Sequence, residues 1–163
     1  MKNTQGVVRV AVWACLLVSL LIIGHSVAMA QKEDEEAARN LVENFLAALG
    51  EGNLDVVHGM FVSDANIGTA GLRDGTWVTA TMSFDDWMTS LRERTTWSWF
   101  SEPVSQYTVH VEDSMMAFVR ADATLVRDGQ ARSHNIDYFT LVREDGEWKF
   151  LSASYVAKPI NPE

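Results

Sequence analysis

The sequence predicts an α+β domain in which a curved antiparallel sheet, cone-shaped and hollow at one end, wraps around three N-terminal helices. Three observations predict it. Apolar residues recur at three- and four-residue spacing before residue 95, four β-rich segments follow residue 105, and Asp-Gly pairs stand between them.

Ahead of these elements lies a segment of a different kind. Lys2 and Arg9 precede an apolar run from Val10 to Ile23, and Ala28-Met29-Ala30 then supplies a small-x-small site before Gln31. That order is read by signal peptidase, so residues 1–30 are expected to form a cleavable leader and residues 31–163 the mature domain. The run is short of the roughly 20 apolar residues of a membrane span, so a membrane association is expected only if the leader is retained. The expected location is secreted or periplasmic.

Without the leader the chain keeps 11 basic against 22 acidic residues, a net charge of −11. Such a domain repels phosphate backbones, and no nucleic-acid partner is expected. Cys15, the single cysteine, leaves with the leader. The mature domain therefore has no disulfide and no thiolate, and must be held by its core. Five tryptophans and seven phenylalanines remain for that purpose.

Residues 33–49 form an amphipathic helix, with Ala38, Leu41, Val42, Phe45, Ala48 and Leu49 on one face and Gly50 and Gly52 ending it. Asn53 suits the N-cap of a second helix over Leu54 to Met60. Asp64 to Gly71 reads as a short strand leading into a loop, and the Gly/Thr/Asp-rich stretch around Trp77 takes no assignment. A third helix starts at Ser83, where Asp86 completes a capping box, and ends near Thr95. Trp97 to Phe100 is expected to be extended. Gln106–Glu112, Met115–Val126, Ala131–Arg143 and Glu147–Val156 read as strands of an antiparallel meander, with Asp128-Gly129 and Asp145-Gly146 as tight hairpin turns.

These landmarks carry a resemblance. The helix Ala37-Ala38-Arg39-Asn40-Leu41-Val42-Glu43-Asn44-Phe45, the turn Glu51-Gly52-Asn53-Leu54-Asp55, the segment Met60 to Ala65, and Tyr138 to Phe150 with its Asp-Gly turn and Trp148 recur in that order. Together they resemble the nuclear transport factor 2-like superfamily, in its SnoaL-like and ketosteroid isomerase-like branch, over roughly residues 34 to 157. The resemblance implies a cystatin-like cone with a pocket in its wide end. It leaves the activity open, since the fold serves isomerases, cyclases, dehydratases and non-catalytic binding or assembly domains.

The family pattern implies that His134, Ile136, Tyr138, Thr140 and Val142 point into the cone and that Ser133, Asn135, Asp137, Phe139 and Leu141 point away. On the preceding strand Ala117, Val119, Ala121 and Ala123 form the inward face. On the last strand Trp148, Phe150, Ser152 and Ser154 share a face. The expected ligand-binding residues are therefore Asn66, Trp77, His134, Tyr138, Thr140, Ser152 and Ser154. Asp64, His134 and Tyr138 are the candidates for proton transfer, which needs a buried carboxylate and a hydroxyl to hold an enolate oxygen. Phe45 stands where the isomerases carry their oxyanion-binding tyrosine. The histidines show no ligand spacing, and neither a metal nor a cofactor is expected.

Three functions fit these readings. The first is an exported module that binds a small apolar or aromatic ligand in an aromatic-rimmed pocket. The second is a SnoaL-like enzyme of isomerase, cyclase or dehydratase type. The third is a non-catalytic domain that dimerises through its outer sheet face, to which Met116 and Phe118 contribute apolar area.

Overall fold

The computed structural model describes residues 29–160. The chain divides into two units, Met1–Asp34 and Glu35–Glu163. Of the first, only residues 29–34 are described, and they are helical. The leader expected over residues 1–30 lies outside the described residues except for its last two. No helix among the described residues is long and apolar enough to cross a membrane.

The second unit holds the rest of α1 (residues 29–50), then α2 (Leu54–Gly59), β1 (Phe61–Arg73), β2 (Thr76–Ser83), α3 (Phe84–Arg92), β3 (Val104–Glu112), β4 (Met116–Arg127), β5 (Gln130–Glu144) and β6 (Glu147–Pro159). The six strands form one curved, open sheet in the order β2-β1-β6-β5-β4-β3. The expected meander is present, but the sheet is mixed rather than wholly antiparallel. β1 lies parallel to β6, and β2 extends it as an edge strand. Only two of the three helices precede the sheet, since α3 follows the first hairpin.

That first hairpin replaces the expected short strand and loop. Asp74 and Gly75 turn it, with φ of 49° and 73°, the positive values that let a two-residue turn follow the twist of its strands. Asp128-Gly129 and Asp145-Gly146 turn two of the other three hairpins in the same way, and Asp113-Ser114, also at positive φ, turns the third. Ser83 caps α3 as its sequence predicts, accepting from the Asp86 amide at 3.1 Å and donating to its carboxylate at 2.7 Å. Residues 97–100 are not a strand. They form an irregular strap held on the end of α1, where the Trp97 indole donates to the Gly50 carbonyl at 3.2 Å.

The helices cover one face of the sheet, and the core lies between them. Phe45 of α1 packs at 5.5 Å from Phe61, 5.8 Å from Phe139 and 5.0 Å from Phe150, so one helix residue joins β1, β5 and β6. Phe84 of α3 stacks on Phe61 at 4.2 Å. Phe150 and Leu141 are fully buried. Burying such side chains is worth about 1.5–3 kcal/mol each, which a domain without disulfides requires.

Candidate functional site

Two single-residue bulges decide which side chains meet. A regular hairpin around Asp128-Gly129 would pair Ala123 with His134, and both would face the helices. The ladder instead runs Arg127↔Gln130, Val126↔Ala131, then Leu125↔Ser133, leaving Arg132 as an extra residue on β5. Every later pairing is shifted by one, and a shift of one turns the strand over. Ala123 therefore pairs with Asn135, Ala121 with Asp137, Val119 with Phe139 and Ala117 with Leu141. The inward face read for β4 is correct, as all four of its residues are buried. The inward face read for β5 is inverted.

The second bulge acts on β6. Leu141 pairs with Phe150 but Thr140 pairs with Ser152, which leaves Leu151 extra. Trp148 and Phe150 are buried as expected. Beyond the bulge Ala153 takes the inward face, so Ser152 and Ser154 leave the face that Trp148 and Phe150 occupy.

The positions expected to bind ligand are thereby scattered. His134, Tyr138 and Thr140 lie on the sheet face away from the helices, where Tyr138 is 47% exposed. Asp64 and Asn66 are exposed on β1, and Trp77 is exposed on the edge strand β2. Ser154 alone borders the cavity described next, and its hydroxyl donates to the Tyr138 carbonyl at 3.4 Å. Asp64, His134 and Tyr138 thus form no inward constellation.

In their place the structure assembles another group. Between the helices and the concave face of the sheet lies a cavity of about 320 Å³. Phe45, Leu46 and Leu49 of α1, Trp87 and Leu91 of α3, and Phe139 of β5 make its apolar walls. Ser133, Asn135 and Asp137, successive inward residues of β5, make a polar wall with Glu102 and Tyr155. Arg94, Arg127, Trp97 and Phe100 also line it, as do Ile67, Leu125, Ala153 and Ala157.

The polar wall is ordered by a short relay. The Ser133 hydroxyl donates to the Asn135 side-chain oxygen at 2.8 Å, and the Asn135 amide donates to the Glu102 carboxylate. Burial raises the Glu102 carboxyl above its ordinary value, and the Asn135 hydrogen bond partly offsets this. Asp137 is 5% exposed, and its Oδ2 has no hydrogen-bond partner. Burial first, then the neighbouring charges of Glu102 and Asp122, push its carboxyl up to about 8. Burial also raises the Tyr155 phenol, with Glu102 and Asp137 adding to the effect. Near neutral pH this favours the protonated form of Asp137 within the polar wall.

No three His, Cys, Asp or Glu residues among the described ones are placed to hold a metal ion.

The comparisons with known proteins agree with this architecture. Residues 33–156 match the model of a family described as "Putative lumazine-binding". No curated protein sequence matches the chain. Among solved structures, an NTF2-like protein with a cystatin-like fold from Novosphingobium aromaticivorans superposes with a TM-score of 0.64 at 16% identity, over 81% of this chain and 86% of that one. An NTF2-like protein of unknown function from Pseudomonas putida gives 0.61 at 16% identity, over 81% and 91%. A protein described as a "Putative Scytalone Dehydratase", also from Novosphingobium aromaticivorans, gives 0.55 at 19% identity, over 78% and 93%. At such identities the likeness is one of fold.

Proposed function

This chain belongs to the family described as "Putative lumazine-binding", and we propose that it is an exported domain that binds a small, flat, largely apolar molecule in the cavity between its helices and sheet. One observation carries the reading. The cavity has aromatic walls and a single polar wall, formed by Ser133, Asn135, Asp137, Glu102 and Tyr155. A ligand with an apolar body and one hydrogen-bonding edge fits that division of the walls. The family's description makes lumazine, a bicyclic pteridine dione, the first ligand to test. Export is supported by the charge, apolar run and small-residue site of residues 1–30.

The test is a titration of the Glu35–Glu163 domain with lumazine, followed by quenching of Trp87 and Trp97, both of which line the cavity. Mass spectrometry of the natively purified protein would identify a retained ligand. Saturable quenching, lost when Ala157→Phe fills the cavity, is the expected result. A protein that carries no ligand and quenches no differently from that variant would refute the reading.

A second reading, proton-transfer catalysis, rests on Asp137 and Glu102 sharing the cavity with raised pKa values. Recovery of a chemically altered ligand would separate it from binding. The outer sheet face supports a further reading, pairing with a second copy of the chain. There Met116, Phe118 and Tyr138 are 37%, 51% and 47% exposed around the Arg120–Asp122 ion pair.

A further inference from the structure

We propose that Arg94 and Arg127 form an anion-recognising edge of the cavity, so that the ligand is an aromatic molecule carrying a carboxylate or phosphate group. The proposal rests on the binding reading above and adds a charge requirement to it.

Arg94 follows α3 and Arg127 ends β4, and the Trp97–Phe100 strap brings aromatic rings to both. The Arg94 guanidinium lies 5.7 Å from the Trp97 ring centre, and that of Arg127 lies 6.0 Å from the Phe100 ring centre. Both arginines and both rings line the cavity. An arginine held on a ring keeps its N–H donors available at its edge, in the planar fork that fits a carboxylate or phosphate.

Neither guanidinium is matched by a carboxylate. Among the described residues Arg39 pairs with Glu43, Arg92 with Asp55 and Arg120 with Asp122, whereas Arg94 and Arg127 enter no ion pair. The chain has 22 acidic residues for 13 basic ones, so unpaired arginines at one cavity do not reflect a shortage of acids. The lining holds two carboxyls, Glu102 and Asp137, of which Glu102 accepts from Asn135. The Arg127 Nε is buried and has no acceptor. An anionic ligand would supply acceptors to the guanidinium edges that line the cavity. The apolar walls of Phe45, Trp87 and Phe139 would hold the aromatic body.

Three naphthalene probes of similar size test this: neutral methyl 2-naphthoate, 2-naphthoate and 2-naphthyl phosphate. Each is titrated calorimetrically at low salt into the Glu35–Glu163 domain. At least one anion should bind about tenfold or more tighter than the ester, the smallest gain expected of charge-assisted hydrogen bonds in a dry site. Which anion binds tighter separates a carboxylate from a phosphate ligand.

Arg127→Met should remove most of that advantage, so that the ratio of anion to ester affinity falls several-fold. Exposed Arg94→Met should remove part of it without a risk to folding. Arg92→Met, outside the cavity, should leave it intact and so controls for net charge. An ester that binds as tightly as both anions overturns the proposal but leaves the binding reading standing, as does an anion preference that survives in Arg94→Met/Arg127→Met. If no probe binds, the binding reading fails and this proposal fails with it.

Discussion

Replacing Asp137 by asparagine separates the buried carboxyl's charge from its shape. In the unfolded chain this carboxyl titrates at its ordinary 3.8, and in the fold it is pushed up to about 8. Between those values the folded protein holds one proton more than the unfolded chain, so wild-type stability falls as pH rises through the window. Asparagine carries no charge in either state and removes this slope. Each pH unit inside the window corresponds to about 1.4 kcal/mol, so between pH 5 and pH 7 Asp137→Asn should gain roughly 2.7 kcal/mol on the wild type. For a domain of this size that is a relative shift in melting temperature of about 10 °C. Above pH 8 the folded carboxyl also ionises and the gap should level off. Thermal melts of both proteins by circular dichroism, taken every half unit from pH 4.5 to 8.5, measure it. A gap that is the same at pH 5 and pH 7 would show that Asp137 is ionised in the fold, and the protonated form assigned to it in the polar wall would have to be abandoned.

Two more perturbations probe other parts of the argument. A Cβ at Gly50 would stand 2.3 Å from the Phe100 carbonyl oxygen, so Gly50→Ala should force the strap away from α1. We expect a loss of about 1–3 kcal/mol, typical of overpacking, and a red-shifted Trp97 emission. Gly59→Ala, where a Cβ meets nothing within 4 Å, should melt like wild type. Phe118→Asp should leave the domain monomeric by light scattering at concentrations where the wild type is dimeric; a wild type that is monomeric at about 100 μM would rule out the paired-sheet reading, since stable interfaces of standard size hold well below that concentration.

Much of the architecture was legible because local signals agreed with one another. The stripe of α1, the Ser83–Asp86 cap and two Asp-Gly turns each specify an element without reference to the rest of the chain. Asp74-Gly75 carries the same turn signal as the β4–β5 and β5–β6 hairpins. It was missed because its flanking segments, rich in Gly and Thr, lack the apolar alternation that marks a strand. The parallel pairing of β1 with β6 has no local signal at all. It depends on where the chain returns after α3, a long-range choice that periodicity does not encode.

The site was misread for a more specific reason. Strand alternation transmits one phase along a whole strand, and a single bulge reverses it. Arg132 and Leu151 are the extra residues, and neither is a glycine or proline that would have announced an irregularity. The phase expected for β5 follows the family pattern, which puts His134 and Tyr138 inside and Asn135 and Asp137 outside. The small residues opposite carried the contrary signal, because Ala121 and Ala123 pair with Asp137 and Asn135. Directly paired residues share a face, so an inward alanine row requires inward partners. Those partners include two polar groups that an optimally stable core would exclude. Natural sequences retain such groups where function requires them, and here they line one cavity together with Arg127 and aromatic walls. The local conflict that the sequence does not announce is therefore the same feature that supports the proposed binding site. If Asp137→Leu and Asn135→Leu raised stability without weakening any ligand, the polar wall would be a tolerated defect and that proposal would lose its basis.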